Sequence, residues 1–373
     1  MTKRILPSET IGILGGGQLG RMMAIAAKEM GYRIAVLDPQ TDSPCGQVAD
    51  KKVIASYDSL EGAKELVETS SVITYEFENI DNETATWIEE NGNLPQGSKL
   101  LTITQDRKFE KGAISEFGIP VAPYRLIDNK EDLNQGVQEL GLPAVLKTCR
   151  GGYDGKGQIV IKEEQDIKMA LEQLVGKTDC ILESWVPFKK EISVIVTRSV
   201  SGETTTFPVA ENIHKDNILH QTIVPARISK NVEENAKEIA IQLADSLNLV
   251  GTLAVEMFLT DEDHIFVNEL APRPHNSGHY TLDACETSQF QQHIRSVCNW
   301  PLGKTDLLKP VVMVNILGEH LEDVLQKIDQ FDDCKLHLYG KEEAKEKRKM
   351  GHLNVLAHSV EEALAKIEAL NIW

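Results

Sequence analysis

Aromatic residues are scarce, at 5% of the 373-residue chain. A core built from this sequence must be mostly aliphatic, and 41% hydrophobic residues are enough to build one. No apolar run approaches the roughly 20 residues that a membrane-crossing helix needs, and Met1 to Pro7 lacks the apolar stretch of a secretory signal. The six cysteines (Cys45, Cys149, Cys180, Cys285, Cys298 and Cys334) include no Cys-x-x-Cys pair. A chain of this size needs no disulfide staples, so reduced thiols in the cytoplasm are the simplest expectation. Positive charge is in deficit, because 39 Lys and Arg against 57 Asp and Glu leave a net charge of −18. Phosphate backbones attract basic surfaces, which excludes general nucleic-acid binding. Small phosphorylated ligands stay open, since a few placed cations or a metal suffice for them.

What is present first is an alternation of strand and helix patterns. Thr10 to Leu14 reads as an apolar strand, and Leu19, Met22, Met23, Ala26, Ala27 and Met30 recur at helical spacing up to Gly31. Arg33 to Asp38, Lys52 to Ala55 and Val72 to Tyr75 read as further strands, with a helix from about Ser59 to Thr69. This alternation predicts a parallel sheet with helices packed on it. The pattern changes near Thr104, and Trp300-Pro301-Leu302-Gly303 is a second boundary signal. The expected organisation is residues 1–104, residues 105–300 with a flap subdomain at about 120–185, and a small unit at 301–373.

Two glycine clusters follow strands. Gly15-Gly16-Gly17-Gln18-Leu19-Gly20 fits G-x-G-x-x-G between a strand and a helix, and Asp38 ends the next strand. Glycines there let backbone amides approach a phosphate at a helix N-terminus. The residues alone leave three readings open: a dinucleotide site, a tight structural turn, or a cradle for a mononucleotide phosphate. In the second cluster, Leu142 to Thr148 is an apolar strand carrying Lys147. Gly151-Gly152-Tyr153-Asp154-Gly155-Lys156-Gly157-Gln158 follows, and then a strand at Ile159 to Lys162. No helix with Lys-Ser/Thr follows, so this is not a Walker loop. A glycine-rich hairpin between strands suits a flap over phosphates, with Lys147 and Lys156 offsetting triphosphate charge. Cys180 to Val186 then runs as an apolar strand into Pro187, followed by Glu191, an arrangement suited to a nucleoside held by backbone groups and a carboxylate.

Two glutamates interrupt apolar strands at Thr252 to Leu259 and Ile265 to Ala271. A two-residue turn at Glu262-Asp263 pairs Thr260 with Ile265, Phe258 with Val267 and Glu256 with Glu269, and a four-residue loop keeps the same register. Like charges directly opposite destabilise a sheet. A divalent cation between Glu256 and Glu269 removes the conflict, and Mg²⁺ commonly takes one or two carboxylates plus substrate phosphates. Beyond Glu269, His275 and His279 are four apart, but Pro272, Pro274 and Gly278 argue against a helix that would bring them together, and no Cys or Glu-His pair nearby completes a zinc site. A polar loop leaving such a strand suits an anionic substrate, with Arg273 as its clamp.

Arg107, Lys147, the Gly151–Gln158 hairpin, Glu183 to Val186, Glu191, Glu256 and Glu269, in that order, resemble the ATP-grasp superfamily. Within it the chain is similar to the N5-carboxyaminoimidazole ribonucleotide synthetase family of bacteria and fungi. Ile13 to Arg21, Gln105-Asp106-Arg107, Gly151 to Gln158 and Asn268 to His279 carry the likeness, and Lys349 to Asn354 resembles the closing motif. The resemblance implies an α/β and α+β fold: an N-terminal Rossmann-like (pre-ATP-grasp) parallel sheet, a two-part ATP-grasp domain and a small β-rich C-terminal domain. It implies a cytoplasmic homodimer that uses ATP with Mg²⁺, or Mn²⁺ in its place. The activity implied is carboxylation of 5-aminoimidazole ribonucleotide with bicarbonate through carboxyphosphate.

It also implies roles. Arg107, Lys147, Gly152, Tyr153, Asp154, Gly155, Lys156, Gly157 and Gln158 would hold the triphosphate. Glu183, Ser184, Trp185, Val186, Glu191 and His214 would hold the nucleoside. Asn268 and Glu269 complete the ATP site, and Glu256 and Glu269 the metal site. Arg273, Tyr153, Asp154 and Lys156 would act at the reacting groups. Gly16, Gln18, Leu19, Glu76, Arg273, His275, Asn276, Ser277, Lys341 and Arg348 would hold the ribonucleotide, which makes the first glycine turn a phosphate cradle. One departure is Ala271, where many ATP-grasp enzymes carry a metal-binding asparagine; water or phosphate must then complete the shell. The alternatives are another ATP-grasp carboxylate–amine ligase or an NAD-dependent oxidoreductase.

Overall fold

A computed structural model describes residues 3–152 and 155–373 of the chain. Tyr153 and Asp154, expected on the flap, lie outside the described residues. Among the described residues the strands form three sheets.

The first sheet is parallel and contains β1 (Thr10–Leu14), β2 (Arg33–Asp38), β3 (Lys51–Ile54) and β4 (Val72–Tyr75) in the order β3-β2-β1-β4. All four residues of β4 are buried, as are the last four of β1, which is why these strands read as unbroken apolar runs. The helix Gln18–Glu29 turns Met22, Met23, Ala26 and Ala27 into this core. The helix Leu60–Thr69, capped by the Ser59 side chain, covers the other face with Ala63 and Leu66. The strand order reverses between β1 and β4. In an open parallel sheet the crevice at the carboxyl ends of such strands is where ligands bind.

A four-stranded antiparallel sheet follows, with β5 (Tyr124–Ile127), β6 (Ala144–Thr148), β7 (Gln158–Ile161) and β8 (Cys180–Ser184) in the order β5-β8-β6-β7. The glycine-rich segment is the connection between β6 and β7.

The third sheet is larger. It comprises β9 (Phe188–Arg198), β10 (Thr204–Thr206), β11 (Ala210–Lys215), β12 (Ile218–Val224), β13 (Gly251–Thr260), β14 (Ile265–Ala271), β15 (Val311–Leu317), β16 (Cys334–Leu338) and β17 (Lys349–Leu356). Its order is β14-β13-β9-β11-β12-β15-β17-β16, with β10 added on β9. The last three strands therefore continue the central sheet, through β12 pairing with β15. The helix Lys230–Ser246 packs Ile239, Ala240 and Leu243 against Ile192, Val194 and Val196 of β9.

The β13–β14 register departs from expectation in its route. The connection is a three-residue loop, because the Thr260 amide donates to the His264 carbonyl at 3.0 Å and Asp263 takes a left-handed φ of 62°. Leu259 therefore faces Ile265, Phe258 faces Phe266 and Met257 faces Val267, not the Thr260–Ile265 and Phe258–Val267 pairs of a two-residue turn. A bulge then leaves Asn268 unpaired, and Glu256 meets Glu269 after all.

Candidate active site

A cavity of about 300 Å³ lies between the flap sheet and the large sheet, lined by residues of both. Lys147 on β6 and Glu183 on β8 form an ion pair at 2.9 Å, and the wholly buried Lys111 stands 3.7 Å from the same carboxylate oxygen. Burial acts to raise the Glu183 carboxyl, but Lys111 and Lys147 hold it below its ordinary value. Its other oxygen, Oε1, is buried with no protein hydrogen-bond partner. Beyond β8, Ser184, Trp185 and Val186 line the cavity. Trp185, Phe188 and Phe258 form an aromatic rim, with ring centroids 6.5 and 4.6 Å apart in succession. At the far wall His214 Nδ1 lies 3.2 Å from Glu191 Oε1. Gly155, Lys156 and Gln158 line the flap side. Gly157 is set back, its carbonyl accepting from the Thr148 amide at 2.8 Å.

Glu256 and Glu269 face each other at the floor. Burial, then the charge of Glu269, pushes the Glu256 carboxyl well above its ordinary value. Burial acts the same way on Glu269, but Arg107 and Lys147 outweigh it and hold that carboxyl low. Arg107 reaches Glu269 at 3.3 Å. The pair is thus a hard-oxygen donor set with one member readily ionised, and Asn268 Oδ1 beside it is buried without a protein partner. Among the described residues no three His, Cys, Asp or Glu side chains converge on one metal position. A cation here would take two protein carboxylates and fill its shell from phosphate and water, which fits Mg²⁺.

A second, more polar cavity of about 260 Å³ shares Arg107, Glu269, His275 and Lys349 with the first and includes Gly152 and Arg273. Arg273 does not stand open as a clamp. Its Nε and NH2 grip Glu78 at 2.6 and 2.9 Å, which fixes the guanidinium plane. His275 lies 3.6 Å from Glu256 and pairs with Ser277 Oγ at 2.9 Å, and burial keeps its imidazole well below its ordinary pKa.

The first glycine turn also differs from the expected cradle. Its amides already face carboxylates: Gly16 donates to Asp38 Oδ2 at 2.7 Å, Gly20 to Glu76 Oε2 at 2.6 Å, and Gly17 to the other Glu76 oxygen. Glu76 thus occupies the helix N-terminus that a phosphate would otherwise use. Leu19 packs against the N-terminal core. Ser277 is fully buried and receives a hydrogen bond from Ser193 at 2.9 Å, and Asn276 exchanges two hydrogen bonds with Asn315. Gln18 is different: its Oε1 accepts from Lys341 Nζ at 2.7 Å, bridging the first and last parts of the chain. Burial, then Arg348 and Lys349, draws Lys341 down to about 8. An amine held down by burial and by two neighbouring cations gains from an anion placed beside it.

Sequence reasoning missed Glu78, Glu110, Lys111 and Phe258. Phe258 was visible as an aromatic two residues beyond Glu256 in the same apolar strand. Glu110 and Lys111 sit in a charged helix, where charges ordinarily face solvent.

Comparison with known proteins identifies the family. Models of three families match: a ribonucleotide synthetase preATP-grasp domain over residues 8–105, an ATP-grasp domain over 112–290, and a phosphoribosylaminoimidazole carboxylase C-terminal domain over 311–366. The chain is 59% identical to the N5-carboxyaminoimidazole ribonucleotide synthase of Bacillus subtilis (strain 168), covering 100% of this chain and 98% of that one. It superposes with a TM-score of 0.98 on a crystal structure of an N5-carboxyaminoimidazole ribonucleotide synthetase in complex with ADP, at 62% identity over 100% of this chain and 99% of that one. The Aspergillus clavatus enzyme in complex with ADP and 5-aminoimidazole ribonucleotide gives 0.91 at 31% identity, over 98% of each chain. The chain belongs to the N5-carboxyaminoimidazole ribonucleotide synthase family of ATP-grasp enzymes.

Proposed function

We infer that this chain carboxylates the exocyclic amine of 5-aminoimidazole ribonucleotide. It consumes ATP and bicarbonate and releases N5-carboxyaminoimidazole ribonucleotide, ADP and phosphate, a step of purine biosynthesis. The observation that carries the reading is the meeting of two cavities at Arg107, Glu269, His275 and Lys349. One has an aromatic rim and a buried carboxylate–lysine pair suited to a nucleotide. The other is polar and holds an oriented arginine suited to small anions.

Adenine would lie against Phe258 and the Ser184–Val186 backbone, with Glu183 Oε1 free to accept from its amine. Glu191 and His214 would meet the ribose. Lys147, Arg107 and the flap residues Gly152, Gly155, Lys156 and Gln158 would line the phosphates, offsetting the charge that moves to the leaving ADP. Glu256 and Glu269, with Asn268 beside them, would hold Mg²⁺, or Mn²⁺ in its place, and the cation supplies charge neutralisation and alignment of the phosphates. A bicarbonate oxygen attacks the γ-phosphorus, the bond to ADP breaks, and carboxyphosphate forms in the second cavity beside Arg273. The amine then takes the carboxyl group and phosphate leaves.

Gln18, Lys341 and Arg348 would receive the ribonucleotide phosphate, while Glu76 holds the glycine turn. Three units at 1–104, 105–300 and 301–373, a homodimer and a cytoplasmic location complete the reading. No helix among the described residues is long and apolar enough to cross a membrane.

The test is ADP release with Mg²⁺-ATP and bicarbonate, with and without 5-aminoimidazole ribonucleotide. Strong stimulation by the ribonucleotide, lost in Glu269→Ala, is expected. Equal release in its absence would sink the substrate assignment.

A further inference from the structure

β14 is an edge strand, since β13 is its one neighbour in the sheet order. An edge strand leaves a row of backbone groups needing partners. The Pro120 carbonyl accepts from the Val267 amide at 2.8 Å, and helix Arg107–Glu116 serves the groups beyond it from two consecutive side chains. Lys111 Nζ donates to the carbonyls of Val267 at 3.3 Å and Asn268 at 2.9 Å. Glu110 Oε1 accepts from the Leu270 amide at 2.7 Å. Both side chains are buried, Lys111 completely. The three backbone groups bracket the bulge at Asn268, where the register shifts by one residue.

That shift matters because side chains alternate along a strand. Had the Met257–Val267 register continued, Asn268 would stand opposite Glu256 and Glu269 would turn to the other face. The bulge is what brings the two carboxylates together.

We propose that Glu110 and Lys111 are positioning residues that lock the β14 bulge and so set the Glu256–Glu269 metal pair. Neither side chain touches the cation or the nucleotide in this account. Lys111 also stands 3.7 Å from Glu183, which links the bulge to Lys147 through one buried carboxylate. The proposal rests on the reading of Glu256 and Glu269 as metal ligands.

The test reads the metal directly. The full-length chain is titrated with Mn²⁺ in the presence of ADP, and bound Mn²⁺ is followed by its paramagnetic resonance signal. Glu110→Leu and Lys111→Met should weaken Mn²⁺ binding about tenfold or more, the scale of losing an outer-shell contact. Metal-free ADP binding should hold near the parent value in the Glu110 variants, whose side chain does not line the nucleotide cavity; Lys111→Met also removes a counter-charge of Glu183 and is not held to that control. Glu110→Gln keeps an acceptor for the Leu270 amide and should bind Mn²⁺ like the parent. If Lys111→Met does not fold, the two Glu110 variants decide. Parent-like Mn²⁺ binding in Glu110→Leu overturns the clamp, and so does a Glu110→Gln variant as weak as Glu110→Leu, because charge and not the amide contact would then be responsible. Glu269→Gln separates the two levels. If it binds Mn²⁺ normally, the metal reading fails and the clamp falls with it. If it weakens binding while Glu110→Leu does not, the clamp alone fails.

Discussion

Lys147 has two tasks that mutation can separate. It neutralises the buried Glu183, and on the proposed reading it also offsets nucleotide charge. Removing one partner of a buried pair costs roughly 3–5 kcal/mol, because an uncompensated charge is left behind. Lys111 at 3.7 Å should keep the loss in Lys147→Met at the lower end of that range. Replacing both members by methionine should recover part of that stability, since the stranded carboxylate goes with the lysine while Lys111 loses one counter-charge but keeps the Val267 and Asn268 carbonyls as acceptors. It should not recover nucleotide affinity. Urea unfolding midpoints with KM for ATP give the answer: a double variant less stable than Lys147→Met would refute the pairing argument. The residue-level signals legible in the sequence were of this kind, charges standing inside apolar strands such as Lys147, Glu256 and Glu269. Arg273 stood out in the sequence as an anion clamp, but the structure pairs it with Glu78. That partner was not legible, because a glutamate 195 residues away carries no local sign of the contact.

At the scale of elements, the strand–glycine–helix turn after β1 shows how a recognisable motif can be used differently. Gly15 adopts a φ of 104°, and a Cβ there would lie 2.4 Å from Glu76 Cγ. Gly15→Ala should therefore strain the turn and expel the Glu76 carboxylate from the amides of Gly17 and Gly20. Strain of this kind costs of order 1–3 kcal/mol. The expected outcome is a lower unfolding midpoint and a raised KM for the ribonucleotide, with KM for ATP unchanged because the cavity proposed for ATP lies on other strands. An equal rise in both KM values would show that the effect is not local to the turn. The elements themselves were largely readable: β1, β2, β4 and β14 begin and end where their apolar patterns do. The register of β14 was not, since a three-residue loop and a bulge displace it in opposite directions and cancel at Glu269. No glycine marks the bulge; Asn268 sits there, held by side chains from a distant helix. The joining of β15 to β12 escaped for a related reason, because pairing between distant segments has no local pattern.

The whole molecule is tied together by histidines that burial keeps neutral, and this gives its stability a predictable pH dependence. His293 is completely buried; its Nδ1 accepts from the Thr252 amide at 3.1 Å and its Nε2 meets Thr74 Oγ1 at 2.7 Å, joining the large sheet to the first. Burial lowers its pKa from 6.5 to about 3. His275, His279 and His352 are likewise held well below their ordinary values, chiefly by burial. His279 and His352 lie with ring centroids 4.8 Å apart, between β17 and the loop that leaves β14. Unfolding releases these imidazoles to bind protons near pH 6.5, while the folded state refuses them. The unfolded state therefore binds more protons below that pH, and stability must fall as pH falls. It is intact above 6.5 and, for His293, is lost progressively down to about 3. Each such group adds a slope approaching about 1.4 kcal/mol per pH unit. Unfolding midpoints should thus hold between pH 8 and 7 and drop from 6 to 5, where the buried histidines outnumber Glu110 and Glu256, whose raised carboxyls oppose the fall. His293→Gln removes one titrating group and should flatten the drop, even though it lowers the midpoint at pH 8 by breaking the Thr74 and Thr252 contacts. A slope unchanged in that variant would mean that His293 is protonated in the folded protein, and the neutral bridge between the two sheets would have to be abandoned.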